Sequence, residues 1–157
     1  MDISQHLQDR SLVIITAATN SVSRAHLSGY EADGAESTRL RMQAIYNRLT
    51  RCIERNSASP LIRYVQDIAH NRFFGGVELH EVQTAINMLE EAIWMDMLEQ
   101  MTPTEFAKAV GRVSTILGLG KDALACTYVS LASKNRAPSL DLKALNKGQE
   151  SAVSIDG

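Results

Sequence analysis

Apolar residues in the segment 78–101 recur at steps of three and four, the spacing of one face of an α-helix. One row consists of Leu79, Val82, Ile86, Leu89, Ile93 and Met97, and a second row beside it consists of Ala85, Met88, Ala92 and Met95. Two neighbouring rows are wider than one partner helix covers. We therefore expect a central helix that packs between at least two others, as in a helical bundle.

Similar spacing predicts helices elsewhere in the chain. The predicted ranges are about 2–25, 36–55, 60–74, 104–117 and 121–134. The run Leu12–Ile15 is also compatible with a β-strand, although its surroundings favour a helix. Together these segments predict an all-α protein, a bundle of five to six helices.

The predicted helix ends coincide with residues that favour caps and turns. Ser59-Pro60 is typical of a helix start, and Thr102-Pro103-Thr104-Glu105 is a capping box. Gly75-Gly76 predicts a left-handed stop. Residues 28–34 contain two glycines and an aspartate and predict a loop. Gly118-Leu119-Gly120 predicts either a helix break or a tight kink.

The length and composition fit a single globular domain. The chain has 157 residues, of which 45% are hydrophobic and 22% charged. Because only 5% are aromatic, the core must be built mainly from aliphatic residues and methionine. We expect one domain over residues 1–134 and a flexible polar tail over 135–157.

Charge and cysteine content exclude several classes of protein. A net charge of −2 argues against a dedicated nucleic-acid binder. Cys52 and Cys126 lie in no metal-ligand spacing and lie on apolar helix faces, which predicts two buried thiols in a reducing compartment. The Leu12–Ile15 run is too short to span a membrane. We therefore expect a cytoplasmic protein that binds neither membranes nor nucleic acid.

Residues for catalysis or metal binding do not form a recognisable arrangement in the sequence. The histidines His6, His26, His70 and His80 share no i, i+4 pairing, so we expect no metal site. The sequence has no G-x-S-x-G motif and no cysteine beside a histidine. We expect a non-enzymatic protein without a cofactor, with His6 and His80 on the surface. His70 is a proximal candidate for haem, but no distal side is recognisable.

Four arginines of the second predicted helix form a basic face. Arg41, Arg48, Arg51 and Arg55 fall within about 80° of one another on a helical wheel, opposite the apolar stripe. A solvated face is the favoured interpretation, and contact with an acidic partner is the alternative.

The end of the 78–101 helix is apolar nearly all round. Trp94, Leu98 and Met101 fall among the polar wheel positions, while Met95 continues the second apolar row. A turn that is apolar on every side must be covered by something. Either later helices of the same chain fold over Trp94, Met95, Leu98 and Met101, or these residues form a dimer or partner interface.

Residues 61–94 resemble the N-terminal sensor-type domain of RsbR/RsbRD-like regulators, which act in the bacterial stress response. The matching positions are Ile68, Ala69, Arg72, Gly75, Leu79, Glu81 and Val82, with one extra residue at Gly75-Gly76. Helices on either side match in length and order, so the resemblance covers roughly residues 5–134.

The resemblance implies a haem-less, globin-like input domain that dimerises and acts on an output such as a kinase or a STAS domain. No output domain follows residue 134, so we expect a stand-alone regulator or a fragment. We predict a non-catalytic homodimer that relays a ligand or partner signal through helix packing. We also predict that Arg72 pairs with Glu81 at the corner between two helices.

The alternative is a globin-like module that binds haem or an apolar, fatty-acid-like molecule. Met88, Met95 and Met97 would line its pocket, because methionine adapts to irregular apolar ligands.

Overall fold

A computed structural model describes residues 2–136, apart from the side chain of Arg136. Its helices are α1 (Ile3–Asp9), α2 (Ser11–Ala25), α3 (Ser28–Asp33), α4 (Ala35–Arg55), α5 (Ser59–Phe74), α6 (Leu79–Gln100) and α7 (Pro103–Arg136). The described part of the chain contains no strand, which confirms the all-α prediction. The predicted tail, except for its first two residues at the end of α7, lies outside the described residues.

Five long helices form a closed ring around the core, in the order α2, α4, α5, α7, α6 and back to α2. The short helices α1 and α3 both pack on α4. The α6 helix lies between α2 and α7, as its two apolar rows predict. The central core consists of fully buried aliphatic residues and methionines, including Met42, Leu49, Leu89, Ile93 and Met97.

The predicted stop and start around α6 are both present. Gly76 has a φ of 81°, a conformation that residues with a Cβ rarely adopt, and the Val77 N–H donates to the Arg72 carbonyl at 3.0 Å. At the start of α7, the Thr102 N–H donates to Glu105 Oε1 at 3.1 Å, and the Glu105 N–H donates to Thr102 Oγ1 at 3.3 Å. This reciprocal pair is the capping box that the sequence predicts.

The first predicted helix, 2–25, is divided at Arg10. The backbone there has φ −102° and ψ 8°, and α2 begins at the next residue. The side chain of Arg10 bonds to Asp96 on α6, so a tertiary contact accompanies this break. The Leu12–Ile15 run, for which a strand was the alternative, lies within α2.

The prediction of a loop at 28–34 is wrong for residues 28–33, which form α3. Its first turn is stabilised from α6: Glu81 Oε1 accepts the Gly29 N–H at 2.9 Å, and Glu81 Oε2 accepts from the Ser28 hydroxyl at 3.1 Å. Tyr30 is buried in the core below. The Glu81 carboxylate therefore stabilises α3, although Gly29 within α3 disfavours a helix.

Of the two alternatives predicted for residues 118–120, a break is wrong, because α7 continues through these residues. Gly120 is in close contact with α5, since a Cβ placed there would lie 2.8 Å from Leu61 Cδ2. The glycine therefore permits close helix packing and does not interrupt the helix. None of the helices within residues 2–136 has the length and apolar character needed to cross a membrane.

Candidate functional site

The most exposed part of the predicted interface lies on α6. Met95 and Leu98 are 44% and 52% exposed. Trp94 is half-buried and packs against the core, and Met101 is buried within this chain. Cover by the same chain therefore applies to Met101 and most of Trp94, while Met95 and Leu98 remain exposed.

The neighbouring helix α2 extends this apolar surface. Leu12 and Val13 are exposed at its start, and Val13 lines a groove of about 320 Å³ together with Met95. Leu12 does not line this groove, and we call Val13, Met95 and Leu98 the contact face. The charged residues Arg10, Glu91, Asp96 and Glu99 also line the groove, so apolar and charged side chains both contribute to it.

Below the groove lies a buried polar cluster, which we call the Asp96 clamp. Arg10 donates to Asp96 Oδ1 through Nε at 2.9 Å and Nη2 at 2.7 Å, and His6 Nε2 lies 3.0 Å from Asp96 Oδ2. The Asp96 side chain is only 6% exposed. Both carboxylate oxygens are therefore engaged, and the clamp fixes the junction of α1 and α2 to α6.

The electrostatics of the clamp follow from this pairing. The hydrogen bond and charge of Asp96 raise the pKa of Arg10. Burial raises the pKa of nearby Tyr46, and the negative charge of Asp96 raises it further. The Tyr46 hydroxyl donates to the Leu7 carbonyl at 2.6 Å. These hydrogen bonds and charges fix the groups relative to one another, which indicates that the clamp stabilises the fold.

The sequence analysis missed the clamp. The prediction that His6 lies on the surface is wrong, because His6 is 8% exposed and bonds to Asp96. One signal was present in the sequence: Asp96 is the one carboxylate inside the otherwise apolar stretch Ile93–Leu98. A charged residue in such a position needs a buried partner.

The three methionines of the alternative pocket lie in different surroundings. Met97 is fully buried in core packing, Met88 is half-buried against the core, and Met95 is exposed. His70, the proximal candidate for haem, is exposed, and its Nδ1 lies 2.9 Å from the Gln66 carbonyl one turn earlier.

The predicted basic face is divided. Arg51 and Arg55 are exposed, in line with a solvated face. Arg48 lies over the ring of Tyr64, 4.7 Å from its centroid. Arg41 is directed to α3, where Nη2 donates to Asp33 Oδ2 at 2.7 Å. Half of the face is therefore engaged in specific contacts.

The predicted pairing of Arg72 with Glu81 is wrong. Glu81 accepts its hydrogen bonds from Ser28 and Gly29, whereas Arg72 lies over the ring of Tyr30, 4.8 Å from its centroid. Arg72 Nη1 is 3.9 Å from Asp33 Oδ2. Arg72 therefore stabilises the α5–α6 corner through an aromatic ring and α3.

The remaining candidate residues have ordinary surroundings. Cys52 is buried as expected, and burial raises the pKa of its thiol, but Cys126 is exposed, which contradicts the prediction for it. His80 is exposed as expected. Within residues 2–136, no three His, Cys, Asp or Glu side chains are placed to bind one metal ion.

Comparison with protein-family models, curated proteins and solved structures found no match for this chain.

Proposed function

We propose that this chain is a non-catalytic signalling domain that forms a homodimer through the contact face. The observation that supports the proposal is the presence of exposed apolar side chains on two adjacent helices: Val13 of α2, and Met95 and Leu98 of α6. Exposed apolar side chains that lie close together on neighbouring helices are a feature of protein interaction sites. The partner in this proposal is a second copy of the chain.

An isologous pairing suits the shape of this surface. In a twofold dimer the same patch occurs on both subunits, so α2 and α6 of one copy would pack against α2 and α6 of the other. Stable dimers of this kind bury about 800 Å² per partner. Two helices of 15 and 22 residues provide enough length for such a contact.

The proposed signal passes through helix packing. A ligand or partner shifts such a bundle only if it binds two packings unequally. The Asp96 clamp fixes α2 to α6, so both helices of the contact face would move together. We further propose a globin-like bundle of the RsbR type, acting on a kinase or STAS-type output, and this part rests on the resemblance of residues 61–94.

Leu98→Glu tests the dimer, with Leu40→Glu as its matched control. Leu98 and Leu40 are 52% and 54% exposed and both lie on long helices, α6 and α4. We expect the parent chain to sediment as a dimer. Leu98→Glu should weaken dimerisation by at least about tenfold, because it places a carboxylate in the buried centre of the interface.

Leu40→Glu should leave the dimer unchanged. A monomeric parent chain at high concentration would refute the proposal, and so would an equal effect of the two substitutions. Circular dichroism of both variants establishes that each is folded.

A further inference from the structure

A second cavity lies on the other side of the ring, away from the contact face. It has a volume of about 360 Å³ and is bordered by α3, α4, α5 and the turn before α6. Arg41, Arg72, Asp33 and Tyr30 form its polar wall, and Ile45 and Ile68 contribute an apolar wall. We call it the arginine cavity.

The charges that line the arginine cavity are unbalanced. Arg41 Nη2 and Arg72 Nη1 approach the same oxygen, Asp33 Oδ2, at 2.7 and 3.9 Å. Two guanidinium groups therefore share one carboxylate. Because Arg72 is only 8% exposed, solvent screens its charge poorly. The Glu81 carboxylate is close by but is bonded to Ser28 and Gly29 and does not line the cavity.

Tyr30 does not supply the missing negative charge. Both arginines lie over its ring: the guanidinium carbon of Arg72 is 4.8 Å from the ring centroid and that of Arg41 is 5.5 Å from it. Burial raises the pKa of its hydroxyl, although both arginines oppose this effect. Tyr30 is therefore neutral at physiological pH.

One hydrogen-bond donor of a residue that lines the cavity also lacks an acceptor. Two buried side-chain polar atoms of the described residues have no hydrogen-bond partner, Thr19 Oγ1 and Arg41 Nη1. Of these, only the arginine is charged and lines the cavity. Buried donors in folded proteins are nearly always paired, so the unpaired Nη1 shows that this chain satisfies the Arg41 guanidinium only in part.

We propose that the arginine cavity binds a small organic anion whose carboxylate or phosphate group accepts hydrogen bonds from Arg41 and Arg72. The guanidinium fork matches the spacing of two anionic oxygens, and paired charged hydrogen bonds are the strongest of their kind. The isoleucines accommodate the apolar body of the ligand. This site is separate from the contact face and does not require dimerisation.

The carboxylate of Asp33 lies beside Arg41 and Arg72, where the anionic group of the ligand would bind. It is the last residue of α3, its side chain is 43% exposed, and the next residue, Gly34, has a φ of 90°. A bound anion competes with this carboxylate for the same donors. Ligand binding therefore releases Asp33 from Arg41 and changes how α3 is held against α4.

Isothermal titration calorimetry with benzoate, inorganic phosphate and neutral benzamide tests the proposal on the full chain. We expect benzoate to bind at least about tenfold more tightly than benzamide, which has the same shape without the charge. If phosphate binds as well as benzoate, the headgroup alone is recognised and a free anion suffices as ligand. If neither anion binds better than benzamide, the proposal is wrong.

Arg41→Gln and Arg51→Gln form a matched pair of variants. They remove the same charge from the same helix, but Arg51 is exposed and lies outside the cavity. Arg41→Gln should reduce benzoate affinity by about tenfold or more, and Arg51→Gln should leave it unchanged. Equal losses would mean that the anion responds only to the overall surface charge, which would overturn the proposal.

Asp33→Asn provides a test that does not depend on loss of function. Removing the competing carboxylate should increase benzoate affinity by about threefold to tenfold. A merely structural role for Asp33 predicts no gain. This result remains decisive if Arg41→Gln fails to fold, and an unchanged or lower affinity would refute the proposed competition.

Discussion

The Asp96 clamp and the arginine cavity contain the same kinds of charged group but differ in how completely these are paired. In the clamp, one buried carboxylate bonds to an arginine through one oxygen and a histidine through the other. In the cavity, two arginines converge on a single oxygen of a half-exposed carboxylate, and one buried nitrogen has no acceptor. Complete pairing indicates a structural role, whereas incomplete pairing indicates a place where a ligand completes the site.

The strongest test of this contrast compares the same substitution at the two carboxylates. Asp96→Asn removes the charge that balances Arg10 and contacts His6 in a buried position. Breaking such a pair destabilises a protein by about 3 kcal/mol. Asp33→Asn changes a half-exposed carboxylate and should lower the free energy of unfolding much less.

Urea denaturation of the two variants measures both values. Should Asp33→Asn destabilise the fold as strongly as Asp96→Asn, the distinction between a structural cluster and a binding cavity would not hold.

The clamp also shows why the sequence predicted the helices better than the site. Periodicity is a local property, so the segment 78–101 and the capping box at Thr102 were predicted correctly. His6 was not, because its partner lies 90 residues away. The α3 helix was missed for the same reason, since the Glu81 carboxylate that supports it lies 52 residues beyond Gly29.

The predicted interface has a similar limit. A helical turn that is apolar on every side must be buried, but its sequence does not show which part of the chain, or which partner, buries it. The chain itself covers Met101, while Met95 and Leu98 remain exposed. Which residues are left for a partner depends on how α7 packs, and the local pattern of α6 contains no information about that.

A second comparison concerns the helix that lies between the two regions. The α7 helix packs against α6 on one side and against α5, which carries Arg72, on the other. Gly120→Ala should destabilise the fold by about 1–2 kcal/mol, because the added Cβ would meet the buried Leu61 side chain at 2.8 Å. Thermal or urea unfolding measures the change.

Gly118→Ala is the matched control for this substitution. A Cβ at Gly118 has no neighbouring atom within 4 Å. Alanine is also a better helix former than glycine, so this variant should be stabilised by about 0.5–1 kcal/mol. Two substitutions of the same sign would contradict the close α5–α7 contact.

The smallest expected effect is a difference between Tyr46 and Tyr30 in how strongly each makes the free energy of unfolding depend on pH above pH 10. The pKa values of Tyr46 beside the clamp and Tyr30 in the cavity are both raised by burial. At Tyr46 the charge of Asp96 adds to the rise and that of Arg10 opposes it, whereas at Tyr30 both arginines of the cavity oppose the rise. Above pH 10 the unfolded chain releases these protons while the folded chain retains them, so the free energy of unfolding falls as pH increases.

Each retained proton contributes up to about 1.4 kcal/mol per pH unit to this decrease. Tyr46→Phe should therefore flatten the loss of stability above pH 10 more than Tyr30→Phe does. Urea denaturation at intervals between pH 8 and about 11 measures the two slopes, and the difference from the parent chain cancels contributions from lysines and the other tyrosines. If Tyr30→Phe flattened the curve more, the positive charge assigned to the cavity would not be acting on Tyr30, and the central argument for an anion there would fail.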